Sequence, residues 1–169
     1  MVPPSPATSV NLTFQENILA FATDEGRIGF VDGLSPKPNP NFMEFKHRGS
    51  VYNLAYGPQL MSKTGSGNTG TGSCLFSLAD SVILMHNKTN NSHTNIEDLI
   101  TEANQWQRKA PSRSCMEFRP ISRDFVVLGS DDGSVELFGT NDMKIVCTLK
   151  SFQKLIQSLA WHPHSESKL

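Results

Sequence analysis

Two stretches carry the same pattern: Ala22-Thr23-Asp24-Glu25-Gly26-Arg27-Ile28-Gly29-Phe30-Val31 and Gly129-Ser130-Asp131-Asp132-Gly133-Ser134-Val135-Glu136-Leu137-Phe138. In each, an apolar run (Ile18–Ala22, Phe125–Leu128) meets an acidic-Gly turn and then a second alternating run. Alternation with period two on both sides of such a turn predicts a β-hairpin. The glycine is expected to supply the positive φ of a tight primed turn.

A second element recurs around the hairpins. Val51-Tyr52-Asn53-Leu54-Ala55-Tyr56-Gly57-Pro58 matches Ile156-Gln157-Ser158-Leu159-Ala160-Trp161-His162-Pro163, and Cys115-Met116-Glu117-Phe118-Arg119-Pro120 is a third, weaker copy. Each ends in an aromatic residue, a spacer and a proline, which closes a strand because it cannot donate to a ladder. The last two copies end 43 residues apart, the length of a four-stranded propeller blade. The first two end 62 apart, so that repeat carries about twenty extra residues. Part of the excess is the Gly/Ser/Thr-rich stretch Met61–Ser73, read as a loop. A polar, turn-forming segment follows at Asn87–Ser92. Thr94-Asn95-Ile96-Glu97 then has capping-box spacing, and Ile96, Leu99, Ile100 and Ala103 share one helical stripe, which predicts a short helix from about Asn95 to Gln105.

The expected fold is all-β: about 2.5–3 four-stranded blades of a propeller with one short inserted helix. Strands are expected at 10–14, 18–23, 27–32 and 42–46, at 51–56, 74–79, 82–86 and 107–110, and at 114–118, 125–130, 134–139 and 144–149. These group into blades at about 10–46, 51–110 and 114–149, with the start of another at 155–161, inside one incomplete domain spanning 10–169; residues 1–9 are expected to be disordered. A propeller closes when its first and last blades pair. Three blades do not make a ring, so the chain is expected to be a piece of a longer one and to expose apolar radial faces if made alone.

Composition narrows the chemistry. The 169 residues carry a net charge of −1, with 18% charged and 37% hydrophobic residues. No basic excess supports a polycationic nucleic-acid binder, so any RNA contact comes from a local patch. No run approaches the roughly 18 apolar residues of a membrane span, and the start lacks a signal-peptide pattern. Cys74, Cys115 and Cys147 are too sparse for a disulfide framework and are expected to be reduced. Asp24-Glu25 and Asp131-Asp132 are explained as turn residues rather than an acid/base pair. No phosphate-cradling loop or nucleophile elbow is present. His162-Pro163-His164 lacks further ligands at metal spacing, so neither catalysis, metal nor cofactor is expected.

These patterns resemble the WD-repeat family, whose unit is a Gly-His pair, a strand ending in aromatic-x-Pro, an apolar strand, an Asp-Gly turn and a strand ending in Trp-Asp. His47 stands four residues before Val51, where that histidine belongs; the Trp-Asp pair is degraded to Val31-Asp32, His86-Asn87 and Phe138-Gly139. The insert helix and blade order are similar, over most of residues 18–163, to the snRNA-recognising WD-repeat subunits of the survival-of-motor-neuron complex.

The resemblance implies partners: precursor snRNA at its single-stranded Sm site and cap region, proteins of that complex, and the remaining propeller blades. It also implies a place in cytoplasm and nucleus, including nuclear bodies. Single-stranded RNA is read by stacking bases on aromatic planes while cations hold phosphates. Lys46-His47-Arg48 running into Tyr52 is the best local constellation, and Tyr52 matches a tyrosine that the family uses to contact RNA. Lys46, His47, Arg48 and Tyr52 are therefore the candidate RNA-binding residues. His47 has an alternative structural role, hydrogen-bonding the acid of a tight turn. Ser114 and Gln157, at the positions equivalent to Tyr52, and Lys150 and Lys154 are weaker candidates. Trp161 is expected in the core and Trp106 against the helix. The rival function is a protein-interaction scaffold that binds a peptide and no nucleic acid.

Overall fold

The structure, a computed structural model, describes residues 7–9, 17–60, 73–87, 90–104 and 108–162. Among the described residues, twelve strands form three four-stranded antiparallel sheets, each in the order of the chain. The first contains β1 (Ala7–Ser9), β2 (Ile18–Thr23), β3 (Arg27–Asp32) and β4 (Asn41–Lys46). The second contains β5 (Val51–Pro58), β6 (Ser73–Ala79), β7 (Val82–Asn87) and β8 (Ser92–Asn95), followed by helix α1 (Ile96–Asn104). The third contains β9 (Arg113–Phe118), β10 (Phe125–Ser130), β11 (Val135–Gly139) and β12 (Lys144–Leu149). This is a partial β-propeller of three blades with one inserted helix.

The blades pack face to face. Ala20, Ala22 and Ile28 of the first meet Val51, Leu54, Tyr56 and Leu75 of the second. The second blade's other face and α1 bury Phe76, Leu78, Ile83, Ile96 and Ile100 against Met116, Phe118, Leu128 and Phe138 of the third. Phe76 and Phe118 sit with ring centroids 4.8 Å apart across that seam. Each fully buried side chain of this kind contributes about 1.5–3 kcal/mol. The middle sheet is covered on both faces, which is why Cys74–Ala79 is buried without alternation.

The hairpin turns differ from expectation. Gly26 N–H donates to Thr23 C=O at 3.1 Å and Gly133 N–H to Ser130 C=O at 3.2 Å. Only the glycines, at φ 85° and 84°, are left-handed there. These are three-residue loops closed by a left-handed glycine rather than two-residue primed turns. The primed geometry occurs instead at Asp80-Ser81, with φ of 51° and 63° and no glycine at all. A Cβ on Gly26 would collide with His47 O, and one on Gly133 with Phe152 O. Gly133→Ala thus combines left-handed strain of about 1–2 kcal/mol with a backbone clash. A fall in thermal midpoint of roughly 4 °C or more is expected by calorimetry.

Two strand expectations change, and a third lies outside the described residues. Residues 10–14, where the first strand of the first blade was expected, lie outside the described residues; β1 falls within the 1–9 segment expected to be disordered, pairing Ala7 with Thr23 and Ser9 with Ala22. The outer strand of the second blade is Ser92–Asn95, not 107–110. Asn91, at φ 49°, reverses the chain, and β8 then pairs with β7 through His86↔His93. Ser-His-Thr-Asn has no apolar alternation to betray a strand. Asn95 accepts a 3.0 Å hydrogen bond from Glu97 N–H and caps the helix, so the Thr94–Glu97 box does not form. At 155–161 there is no strand, although Ile156, Leu159 and Trp161 do cover the outer face of the third blade. Trp161 Nε1 donates to Glu117 C=O at 3.2 Å; Trp106 lies outside the described residues.

Candidate nucleic-acid interface

Tyr52 sits second in β5, with its side chain turned away from the core and 44% exposed. Its hydroxyl donates to Arg113 C=O and accepts from Ser81 N–H, both at 3.3 Å. Burial of the hydroxyl raises its pKa above the usual tyrosine value, so the phenol is neutral at physiological pH. The ring forms one wall of a cavity of about 250 Å³ between the second and third blades. Ser114 and Gln157, the residues equivalent to Tyr52 in the next two repeats, line the same cavity. Asp131, Leu155 and Ile156 complete it with the Ser81 and Arg113 backbone region. Ser114 Oγ donates to Ile156 C=O at 2.6 Å, which fastens the far wall. The result is a ring face, an amide, a carboxylate and a hydroxyl around a space of nucleobase size.

The other candidates are dispersed. Lys46 ends β4 and Arg48 lies in the β4–β5 connection, both exposed, and neither lines the cavity. His47, between them, is interior with 7% exposure. Its Nε2 is linked to Ser77 Oγ at 2.8 Å, so its ring is turned inward and cannot meet a ligand at the surface. Asp80, the acid of the β6–β7 turn, accepts from Gly49 N–H at 3.2 Å, and its charge favours a proton on His47. Lys150 and Lys154 are exposed; Lys154 adjoins Leu155 at the cavity.

Behind the cavity lies a feature with no signature in the repeat pattern. Arg113, 1% exposed, donates through Nε and Nη2 to Glu97 Oε1 at 2.8 and 2.5 Å. Its Nη2 also reaches Glu136 Oε2 at 2.7 Å, and Nη1 reaches Ser130 Oγ at 3.2 Å. Arg108 closes the square, 2.5 Å from Glu136 Oε1 and 3.0 Å from Glu97 Oε2. Burial alone would raise the Glu136 pKa, but hydrogen bonds from Arg108 and Arg113 outweigh it and hold the carboxyl below its usual range. Two cations and two anions neutralise one another, tying α1, β9 and β11 together with the cavity wall. The one signal in the sequence was Glu97 itself, whose capping-box spacing pointed to a local partner.

Nothing here has the form of a metal centre: among the described residues no group of three His, Cys, Asp or Glu side chains is arranged to hold a metal ion, and Pro163-His164 lie outside them. Cys74, Cys115 and Cys147 are free thiols. No described helix is long and apolar enough to cross a membrane.

No protein-family model matches the chain. Curated relatives do. Human Gem-associated protein 5 is 32% identical over 152 residues, covering 88% of this chain and 10% of the relative. Its mouse counterpart is 30% identical over 145 residues, covering 83% and 10%. The chain thus spans about a tenth of the length of these relatives. Among solved structures, one from the mitotic checkpoint complex superposes with a TM-score of 0.64 at 16% identity, covering 98% of this chain and 44% of that one. The computationally designed Ika8 protein superposes at 0.56 and 15%, covering 94% and 41%. At such identities the structures speak for the fold alone. The sequence matches go further: with its three blades, this chain is homologous to a segment of Gem-associated protein 5.

Proposed function

We propose that this chain contributes an RNA-reading face to snRNP assembly, recognising precursor snRNA around its Sm site and cap region and delivering it to the survival-of-motor-neuron complex. The supporting observation is Tyr52: a half-exposed aromatic face, immobilised by two hydrogen bonds, at the wall of a base-sized cavity. A base stacked there would find donors and acceptors in Gln157, Ser114 and Asp131. Lys46 and Arg48 would hold flanking phosphates, and Lys150 and Lys154 would extend that cationic rim. The proposed role is recognition without reaction, exercised in cytoplasm and nuclear bodies.

The test is binding of a uridine-rich single-stranded RNA by fluorescence anisotropy. Base–aromatic stacking contributes about 1–3 kcal/mol per base, so Tyr52→Ala is expected to weaken binding roughly 5- to 150-fold. Lys46→Ala or Arg48→Ala should cost less and flatten the salt dependence by about one counterion each. Unchanged affinity in Tyr52→Ala would overturn the assignment. An apolar peptide binding at Tyr52, with no RNA bound, would support the scaffold reading instead.

A further inference from the structure

Three imidazoles and a hydroxyl form one hydrogen-bonded chain in the seam between the first and second blades. His47 Nε2 meets Ser77 Oγ at 2.8 Å, Ser77 Oγ meets His86 Nε2 at 2.6 Å, and His86 Nδ1 meets His93 Nδ1 at 2.8 Å. Phe45 of β4 packs across all three rings, with centroids 4.9, 5.5 and 4.3 Å away. Strand β4 of the first blade is thus held against β6, β7 and β8 of the second.

Each link needs one proton, not two. With all histidines neutral the chain runs in a single direction, from His47 through Ser77 and His86 to His93 or the reverse. One added proton at either end leaves every link satisfied. A second, at the other end, leaves Ser77 accepting from both neighbours with its own hydrogen displaced from the chain, and sets two cations, His47 and His93, against each other on either side of the Phe45 ring in a seam with little water to screen them. The titratable groups acting on this chain are few. Asp80, in the β6–β7 turn, favours a proton on His47, while His93 opposes it. On His86 only His47 and His93 act, both against charging. Ser77 from β6 and Phe45 from β4 are neutral, and exposed Lys46 and Arg48 flank His47 in sequence.

The seam is joined to Tyr52 by short connections. Gly49, two residues after His47, donates to Asp80 at 3.2 Å. The adjacent Ser81 N–H donates to the Tyr52 hydroxyl. We propose that the histidine chain is a proton-sensitive lock that positions Tyr52 at the cavity: double protonation separates His47 from the second blade, loosens Gly49 from the Asp80-Ser81 turn and frees the Tyr52 ring. The lock does not depend on what occupies the cavity.

The chain contains two tyrosines, Tyr52 and Tyr56, so ring-labelled tyrosine resolves both by NMR. Between pH 7.5 and 4.5, with histidine signals followed in the same samples, the Tyr52 ring should move in step with the histidines while buried Tyr56 stays. His93→Gln keeps a hydrogen-bonding group but removes one titrating site, and should at least halve the Tyr52 movement. Asp80→Asn tests the connection separately: the histidines should still titrate while Tyr52 follows them less. Histidine titration with a stationary Tyr52, or the same movement in both variants, overturns the lock. Circular dichroism at each pH distinguishes movement from unfolding. Should one variant fail to fold, the wild-type titration and the other variant decide the matter.

Discussion

Arg113→Met should lower the unfolding free energy by about 3–5 kcal/mol, the cost of leaving buried charges uncompensated. Methionine fills much of the arginine's volume, so packing changes little. What remains is Glu97 and Glu136, each 7% exposed at the side chain, facing Arg108 alone. Two carboxylates would then share one guanidinium in a place water reaches poorly. The measurement is urea unfolding at pH 7, and the shift in thermal midpoint should be roughly 6–15 °C. The square also makes a sharper claim. Removing all four charges together, with Glu97 and Glu136 as Gln or Met and both arginines as Met, should cost far less than Arg113→Met by itself, because a buried ionic group replaced as a whole is often nearly neutral. A quadruple variant as unstable as the single one would show that the network does more than cancel its own desolvation.

Acid should unfold this chain through its histidines. Burial, with His93 and His47 nearby, pushes the His86 pKa from 6.5 down to about 3. Burial likewise lowers His47 and His93. In the unfolded chain His86 takes up a proton as pH falls through about 6.5, while in the folded chain it stays neutral to about 3. The unfolded state therefore binds more protons throughout this window, and stability falls as pH falls. The loss begins near pH 6.5 and is complete near 3. Each tenfold difference in proton affinity between the two states corresponds to about 1.4 kcal/mol, so His86 accounts for about 4–5 kcal/mol over the window. His86→Phe keeps an aromatic ring in the seam and removes the titration. It should be less stable than wild type at pH 7, through its lost hydrogen bonds, yet its stability should fall less steeply from pH 6.5 to 4. A wild-type profile flat over that range would refute the buried, neutral state of His86.

Much of the blade pattern was legible because it is local. Period-two alternation, acidic-Gly turns and strand-ending prolines place the strands of the third blade to within a residue, with β10 and β12 matching fully. The helix was legible for the same reason: the stripe Ile96, Leu99, Ile100, Ala103 faces the core. Strand β8 was not, because its four residues are held by ladder bonds and by the His86–His93 contact rather than by any apolar face. The site was half legible. Tyr52, Ser114 and Gln157 could be aligned as equivalents, but their gathering around one cavity depends on two blades and the 155–157 segment meeting in space. The cationic neighbours of His47 suggest a surface position, yet the ring lies inside, because Ser77, thirty residues on, offers it a partner.

By itself, then, the order of residues determined that this is a repeated four-stranded β unit with an inserted helix, since backbone periodicity and turn chemistry act over a few residues. The tertiary structure alone decided which polar groups face each other. Glu97 with Arg113, His86 with His47 through Ser77, and Tyr52 with Ser81 are far apart in the chain or on different strands. Their pairing follows from the need of every buried polar group for a partner once the blades close over it.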